Sequence, residues 1–422
     1  MDTNIIRQIL LEQGEEAKAI FKEKIIPREI LPNITKAFRS NLIKVIIGVR
    51  RCGKSVLAHC LLKDKEYGYI NFDDERLIGT KTQDLNVFLE VLQELKPSCR
   101  ILLLDEIQNV DGWELFVNRL KRSGFNIVVT GSNSKLLSKE LATHLTGRHF
   151  SIELYPFSFH EFACYKGFSF DKEDFNITQR RAKIKQLFTE YQQYGGLPEV
   201  LKLEVKTQYL RELYDRIITR DIILRYHIKY ARDLKEVALY AISNFAARMT
   251  YHKIRRIFEM KSVHTVKNYV DFLQEAYLLF QVNAFSFKLK EQFKQPKKLY
   301  CVDPGIINAI VPKSGLDLGR LLENIVLIEL KRQGNEVYFY SQPNYEVDFL
   351  VKGGMKISQL IQVCHSIEDE NTRKRELKAL IKASQALRCN ELLIITSDTE
   401  SEEKIGPKKI RLIPILKWML GK

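Results

Sequence analysis

The sequence predicts an α/β protein whose first part is an open parallel sheet. Three apolar runs, at residues 42–47, 101–104 and 126–130, have the length of buried strands, and helix-like segments lie between them. Each run ends in a cluster of glycine or polar residues. Because parallel strands present their carboxyl ends at one edge of a sheet, we expect these clusters to share one ligand-binding edge.

The first cluster is a phosphate-binding loop. It fits the Walker A pattern G-x-x-x-x-G-K-[ST] at every fixed position and lies between a predicted strand and a predicted helix. Glycine lets backbone N–H groups approach a polyphosphate, while Lys54 can reach the β- and γ-phosphates and Ser55 can ligate Mg²⁺. We therefore expect ATP and Mg²⁺ as ligands. The predicted nucleotide-binding residues are Gly48, Val49, Arg50, Arg51, Cys52, Gly53, Lys54 and Ser55.

Two carboxylates end the second apolar run. Asp105 and Glu106 follow four consecutive apolar residues, and Asp105 stands 51 positions after Lys54. A buried strand that ends in two acids requires a counter-charge, which Mg²⁺ and its bound phosphates supply. We expect Asp105 to hold the metal through its water shell and Glu106 to orient and polarise the attacking water. The second acid predicts ATP hydrolysis rather than transfer of the nucleotide-kinase type.

Three further polar positions are weaker candidates. At the tip of the third strand, Ser132 and Asn133 can sense the γ-phosphate or the lytic water, although an ordinary Ser/Asn turn explains them as well. Arg148 follows a small-residue turn and is a candidate arginine finger, supplied in cis or by a neighbouring subunit. Arg28 stands in the connector before the first strand, where the nucleotide base packs in many P-loop proteins; an exposed connector arginine is the simpler interpretation.

Five stretches together resemble a largely uncharacterised family of bacterial and archaeal AAA-type ATPases with a C-terminal domain of unknown function. The stretches are residues 48–55, 104–108 (LDEIQ), 130–134 (TGSNS), 145–148 (LTGR) and 155–159 (YPFSF). The resemblance covers almost the whole chain. It implies a P-loop core of the additional-strand type, a winged helix and a restriction-endonuclease-like C-terminal domain. We accordingly expect an AAA-type ATPase domain at 1–165, a helical linker or lid at 166–230, a winged helix at 231–312 and a degenerate nuclease-like domain at 313–422.

Residues 234–300 are typical of three helices followed by two short strands. Val266, Val270 and Leu273 recur at helical spacing and predict a buried face. In a winged helix this third helix is the one that can enter a major groove, and its other face carries His264, Lys267 and Asn268. Residues 251–300 contain ten Lys or Arg and four Asp or Glu. Double-stranded DNA is therefore one expected partner, and a protein partner is the alternative.

Residues 318–396 predict helix, three strands, helix and strand, which is the order of the restriction-endonuclease core. That core cuts phosphodiesters with an acid on the first helix, an Asp on the second strand, and an acid and a Lys on the third. Glu323 and Asp348 match the first two positions. The third strand has Gln362, which can ligate a metal, but Cys364 cannot replace the ammonium. We expect a degenerate site with doubtful nuclease activity.

Composition limits the remaining function classes. The 422 residues carry a formal net charge of +15, which favours polyanionic partners. Seven scattered cysteines suggest neither a zinc site nor a disulfide framework, and no stretch has the roughly 18 apolar residues of a membrane span. We expect a cytoplasmic ATPase that moves its C-terminal domains on DNA. The alternative is a nucleotide-dependent signalling or assembly switch that acts on proteins, with ATP driving homo-oligomer formation.

Overall fold

The computed structural model describes residues 2–38, 40–133, 147–171 and 173–421. The chain divides into two compact units. The first contains residues 1–155 and the short segment 275–277, and the second contains 156–274 and 278–422. The division into four domains stays a prediction. Three positions of the predicted motifs, Ser134, Leu145 and Thr146, lie outside the described residues.

A five-stranded parallel sheet forms the centre of the first unit. Its strands are β1 (Ile43–Ile47), β2 (Gly68–Asn71), β3 (Ile101–Asp105), β4 (Asn126–Gly131) and β5 (His149–Glu153). They lie in the order β2-β3-β4-β1-β5, and every neighbouring pair is parallel. Strand β4 therefore separates the strand before the phosphate loop from the strand that ends in Asp105. This arrangement confirms the predicted additional-strand P-loop fold.

Helices surround this sheet and bury it. Those described in the first unit are α1 (Thr3–Ile20), α2 (Leu31–Phe38), α3 (Lys54–Leu62), α4 (Leu85–Leu95) and α5 (Trp113–Arg122). Strand β1 is buried along its whole length, as expected for a central parallel strand. At the sheet edge, the Gln13 amide donates to the Asn71 carbonyl at 3.1 Å and accepts from the Asn71 N–H at 2.9 Å. A side chain of α1 thus satisfies the exposed backbone of β2.

The second unit begins with helices. They are α6 (Phe159–Tyr165), α7 (Thr178–Tyr194), α8 (Lys206–Arg216) and the π-helical segment Ile217–Leu224 that continues α8. The Ser158 hydroxyl accepts from the Glu161 N–H at 3.0 Å, and the Glu161 carboxylate accepts from the Ser158 N–H at 3.0 Å. This capping box fixes where α6 starts.

A small antiparallel sheet with its helices follows. The elements are α9 (Ala231–Ser243), β6 (Arg248–Met249), α10 (Tyr251–Ile257), α11 (Val263–Glu275), β7 (Leu279–Asn283), α12 (Leu289–Lys294), β8 (Lys297–Cys301) and α13 (Pro304–Ile310). The strand order is β6-β8-β7. The three predicted helices and two predicted strands are confirmed, and β6 and α12 are additions. On α11, Val266 and Val270 are buried, whereas His264, Lys267 and Asn268 are exposed as predicted.

The C-terminal part contains a six-stranded mixed sheet. Its elements are α14 (Leu318–Arg332), β9 (Glu336–Gln342), β10 (Tyr345–Gly353), β11 (Lys356–Cys364), α15 (Glu370–Leu387), β12 (Leu392–Thr396), β13 (Ser401–Ile405), β14 (Lys408–Pro414) and α16 (Ile415–Met419). The strand order is β13-β14-β12-β11-β10-β9. The predicted order from α14 to β12 is confirmed, and the sequence prediction stopped before the last two strands. Among the described helices, none has the length and apolarity that a membrane span requires.

Candidate active site

The phosphate loop connects β1 to α3 through backbone that only certain residues can adopt. A Cβ on Gly48 would lie 2.1 Å from the Leu154 carbonyl oxygen, so a side chain does not fit there. Arg51 and Gly53 have positive φ angles of 68° and 96°. The chain thus turns through left-handed conformations before α3 starts at Lys54. This turn aims the first N–H groups of α3 at the loop, which favours an anion there.

Lys54 is buried inside this loop. Its ammonium donates to the carbonyls of Gly48 and Val49, both at 3.2 Å, and lies 3.5 Å from Glu106 Oε1. Burial alone would lower the pKa of Lys54, but the negative charges around it, Glu106 first and then Cys52 and Asp105, together raise the pKa. Lys54 is therefore charged at neutral pH. A buried cation among backbone N–H groups fits the phosphates of a nucleotide.

Asp105 and Ser55 form a hydroxyl–carboxylate pair next to the loop. Asp105 is only 3% exposed and interacts with Ser55, and it accepts hydrogen bonds from the Tyr69 hydroxyl at 3.3 Å and from the Thr130 hydroxyl. Burial raises the pKa of Asp105. A divalent cation would counter this cost, and hard oxygen ligands of this kind fit Mg²⁺.

Glu106 is held by donors from several directions. Its backbone has a positive φ of 50°, and its N–H donates to the Thr130 hydroxyl at 3.1 Å. One carboxylate oxygen accepts from the Ser132 N–H at 3.3 Å, the Ser132 hydroxyl at 3.1 Å and the Gln108 amide. Burial would raise the pKa of Glu106, but the charges of Lys54 and Arg50 lower it to about 2. Glu106 is therefore a carboxylate throughout the physiological range.

Strand β4 brings Ser132 into contact with Glu106. Both Ser132 and Asn133 are buried at its tip, with 1% and 3% of their surface exposed. The sequence offered both residues as sensors of the nucleotide, and that role stays a prediction for each. Sequence reasoning missed Thr130, although a single polar residue at the end of an apolar strand was an available signal.

Arg148 lies at the opposite edge of the sheet from the phosphate loop. Its carbonyl accepts from the Ile43 N–H at 2.9 Å, at the amino end of β1, and its guanidinium donates to Asn118 Oδ1 at 2.9 Å. The phosphate loop follows the carboxyl end of β1, about 13 Å away along the strand. Within one chain, Arg148 is therefore not brought to the site. The predicted arginine finger would have to come from a neighbouring subunit.

Arg28 is buried, which corrects the expectation of an exposed connector arginine. Its guanidinium donates to the carbonyl of Cys52 in the phosphate loop at 3.0 Å and to the carbonyl of Tyr155 at 2.5 Å. One charged side chain thus ties the loop to the segment after β5. The connector position was visible in the sequence, but its contact with a residue 127 positions away was not.

The predicted residues of the C-terminal site do come together. Glu323 on α14, Asp348 on β10 and Gln362 on β11 are all buried and line a cavity of about 890 Å³. The Asp348 N–H donates to Gln362 Oε1 at 3.3 Å. At the end of β11, the Cys364 thiol donates to the Ser366 carbonyl at 2.8 Å. The three predicted residues of the C-terminal site thus form one buried cluster.

Comparison with known proteins places the chain in a family. Residues 40–163 match the family described as AAA domain, and residues 185–317 match the domain of unknown function DUF8612. The Walker-type ATPase PABY2304 of Pyrococcus abyssi is 15% identical, with 68% of this chain and 96% of that chain covered and a TM-score of 0.42, which is too low to support a conclusion.

Two relatives are closer in sequence. Uncharacterized protein MJ1544 of Methanocaldococcus jannaschii is 38% identical over 99% of this chain and 95% of its own length. An uncharacterised protein of Haemophilus influenzae is 34% identical over 90% of this chain and 95% of its own length. The AAA domain and the parallel sheet together make this a P-loop protein of the AAA type. The chain belongs to the family of AAA-domain proteins that includes these two uncharacterised relatives.

Proposed function

We propose that the chain binds ATP with Mg²⁺, hydrolyses it, and uses hydrolysis to move its winged-helix and nuclease-like parts on a partner. The observation that carries this proposal is the meeting of Lys54 and Glu106, 3.5 Å apart, beside the Ser55–Asp105 pair. These four residues supply the phosphate contact, the metal ligands and the water-activating carboxylate that hydrolysis needs. Their roles are part of the proposal.

Binding is assigned to the loop and its lysine. The Lys54 ammonium and the backbone N–H groups would hold the β- and γ-phosphates, and the N-terminus of α3 adds its positive end. Ser55 would ligate Mg²⁺ and Asp105 would hold it through water. When bound, the metal neutralises charge that develops on the phosphates.

Water activation is assigned to Glu106. Ser132 and Gln108 fix the position of its carboxylate, so a water bound to it would have one orientation. The charge of Lys54 keeps the basicity of Glu106 low in this structure. When the phosphates share the charge of Lys54, that effect weakens and the carboxylate becomes a better proton acceptor. Phosphate binding would thus switch on the base.

The test is ATP binding and turnover by the wild type and by Lys54→Ala. We expect Mg²⁺-dependent hydrolysis in the wild type and a loss of ATP affinity of at least about tenfold in the variant, because a buried charged hydrogen bond is removed. Lys65→Ala, at an exposed lysine three residues beyond α3, is the matched control and should behave as wild type. Equal ATP affinity in all three proteins would contradict the proposal.

For the partner, we propose double-stranded DNA contacted through α11. Support comes from the exposed side chains of His264, Lys267 and Asn268 and from the basic balance of residues 251–300. Binding to duplex DNA across a salt series tests it, because contacts to phosphates give an affinity that falls steeply with salt. No binding at low salt would favour the alternative, a nucleotide-dependent signalling or assembly switch that grips a protein.

A further inference from the structure

Lys298 lies in the middle of the C-terminal carboxylate cluster. Its side chain is 3% exposed, and its ammonium lies 2.8 Å from Glu323 Oε1, 2.8 Å from Glu346 Oε1 and 3.2 Å from Asp348 Oδ1. Lys298 comes from β8, whereas the carboxylates come from α14 and β10. The cluster therefore contains an ammonium, but that ammonium comes from β8, 66 residues before Cys364, and not from the third strand.

The Lys298 ammonium is directed at the carboxylates of this cluster. An ammonium has three N–H groups, and three carboxylates surround this one. Its N–H groups donate to Glu323 at 2.8 Å and to Asp348 at 3.2 Å, and the Glu346 carboxylate lies beside it at 2.8 Å. The ammonium is therefore directed at carboxylates of the protein, unlike the lysine of a phosphodiester-cleaving site, which must reach the phosphate.

The carboxylate oxygens are also engaged by other donors. The Tyr300 hydroxyl donates to Glu323 Oε1 at 2.6 Å, and the Val363 N–H donates to Asp348 Oδ2 at 3.1 Å. The Arg248 guanidinium pairs with Glu346. Metal ligands at 2.0–2.6 Å would need these oxygens to turn towards a new centre and Lys298 to leave.

A divalent cation does not fit this arrangement. Within the described ranges, no group of three or more His, Cys, Asp or Glu side chains is placed to hold a metal ion. Gln362 adds an amide oxygen where the endonuclease pattern has an acid, but that oxygen accepts from the Asp348 N–H. The residues present therefore do not fit the metal ion that the nuclease resemblance implies.

We propose that Lys298 is the permanent cation of this cluster: it stands where a nuclease metal would bind, and it pins β8 to α14 and β10. The ion pairs between Lys298 and the three carboxylates connect the three-stranded sheet to α14 and the six-stranded sheet inside the second unit. In this proposal the C-terminal cluster does not cleave phosphodiesters, and we assign bond cleavage to the nucleotide site alone.

Metal titration tests the proposal, with Mn²⁺ as the probe and no nucleotide present. All proteins carry Asp105→Asn, so that the nucleotide site contributes no binding. We expect no Mn²⁺ site in this background, one new site when Lys298→Met is added, and loss of that site when Asp348→Asn is added as well. Free Mn²⁺ is measured by electron paramagnetic resonance. Either a site in the background protein that Asp348→Asn removes, or a folded Lys298→Met protein that binds no Mn²⁺, would overturn the proposal.

Removing one partner from a buried ion pair is strongly destabilising, so the Lys298→Met protein could fail to fold. A second measurement avoids this risk because it uses the wild-type protein. Wild-type protein is acetylated at its lysines with and without millimolar Mn²⁺, and the modified peptides are quantified. Lys298 should stay unmodified in both, whereas the exposed Lys288 reacts in both. Reaction of Lys298 only with Mn²⁺ would show that the metal displaces it. Plasmid nicking by the wild type that Asp348→Ala removes would likewise contradict the proposal.

Discussion

Ser132 donates both its backbone N–H and its hydroxyl to the same oxygen of Glu106, at 3.3 Å and 3.1 Å. This pair joins the tip of β4 to the end of β3, two strands that are neighbours in the sheet. A side chain that we predict to respond to the nucleotide is thus hydrogen-bonded directly to the proposed base. In our account, Ser132 is a positioning residue that holds Glu106 for water activation.

Ser132→Ala should therefore lower kcat more than it changes ATP affinity. It removes one hydrogen bond to a charged oxygen, for which about 1.5–3 kcal/mol is typical, so we expect kcat to fall on the order of 10- to 100-fold. Steady-state kinetics separates kcat from KM. Ser123→Ala, whose hydroxyl bonds the Arg119 carbonyl at the exposed end of α5, is the control and should keep full turnover. A change in KM alone would argue against a positioning role.

Arg28→Lys should weaken ATP binding although the positive charge is kept. A lysine presents one ammonium and cannot reproduce the planar fork that joins the Cys52 and Tyr155 carbonyls. The phosphate loop then loses an anchor, and we expect the Kd of ATP to rise about tenfold, measured by calorimetry. Arg7→Lys, at an exposed arginine of α1, is the matched control. An unchanged Kd for Arg28→Lys would show that the loop holds its shape without this contact.

His59 makes the stability of the first unit depend on pH. It is fully buried in α3, with Nδ1 2.8 Å from the Tyr67 hydroxyl, and burial lowers its pKa to about 4. The unfolded chain binds this proton more readily than the folded one. Keeping His59 neutral therefore contributes to the free energy of unfolding above pH 6.5. This contribution, about 3 kcal/mol, is lost as pH falls from 6.5 towards 4. Denaturant unfolding at several pH values should show that the free energy of unfolding falls less steeply with acid for His59→Gln than for the wild type. The same dependence on pH in both proteins would contradict this assignment.

Lys267→Ala should weaken duplex DNA binding about equally for all sequences. If Lys267 contacts a phosphate, its loss should reduce the slope of log affinity against log salt by about 0.9. Fluorescence anisotropy over a range of salt concentrations measures that slope. Lys356→Ala, at the exposed lysine that begins β11, should leave the slope unchanged. If both variants keep the same slope of log affinity against log salt, Lys267 does not contact a DNA phosphate, and this would contradict the proposed interface on α11.

Local patterns predicted the strands and the phosphate loop because their physics is local. Apolar runs identify β1, β3 and β4, and the spacing of glycines and Lys54 identifies the loop. Two carboxylates at the end of the second apolar run were enough to predict that Asp105 and Glu106 lie at the ligand-binding edge, since parallel strands share that edge.

Contacts between segments distant in sequence could not be predicted from local patterns. Lys298 meets Asp348 across 50 positions, and no periodicity marks either residue as a partner of the other. Arg148 was chosen from its local turn, yet which end of the sheet it occupies depends on how β5 pairs with β1. The contact of Ser132 with Glu106 depends on the directions of its hydroxyl and its backbone N–H, which the sequence does not show.

Glu106→Gln most directly tests whether Glu106 activates the water that attacks ATP. The substitution keeps the size of the side chain and removes the charge that polarises water. We predict that the variant binds ATP within about threefold of the wild-type Kd and loses at least about 100-fold in kcat, as expected when a general base is removed. Hydrolysis at the wild-type rate by Glu106→Gln would contradict the account.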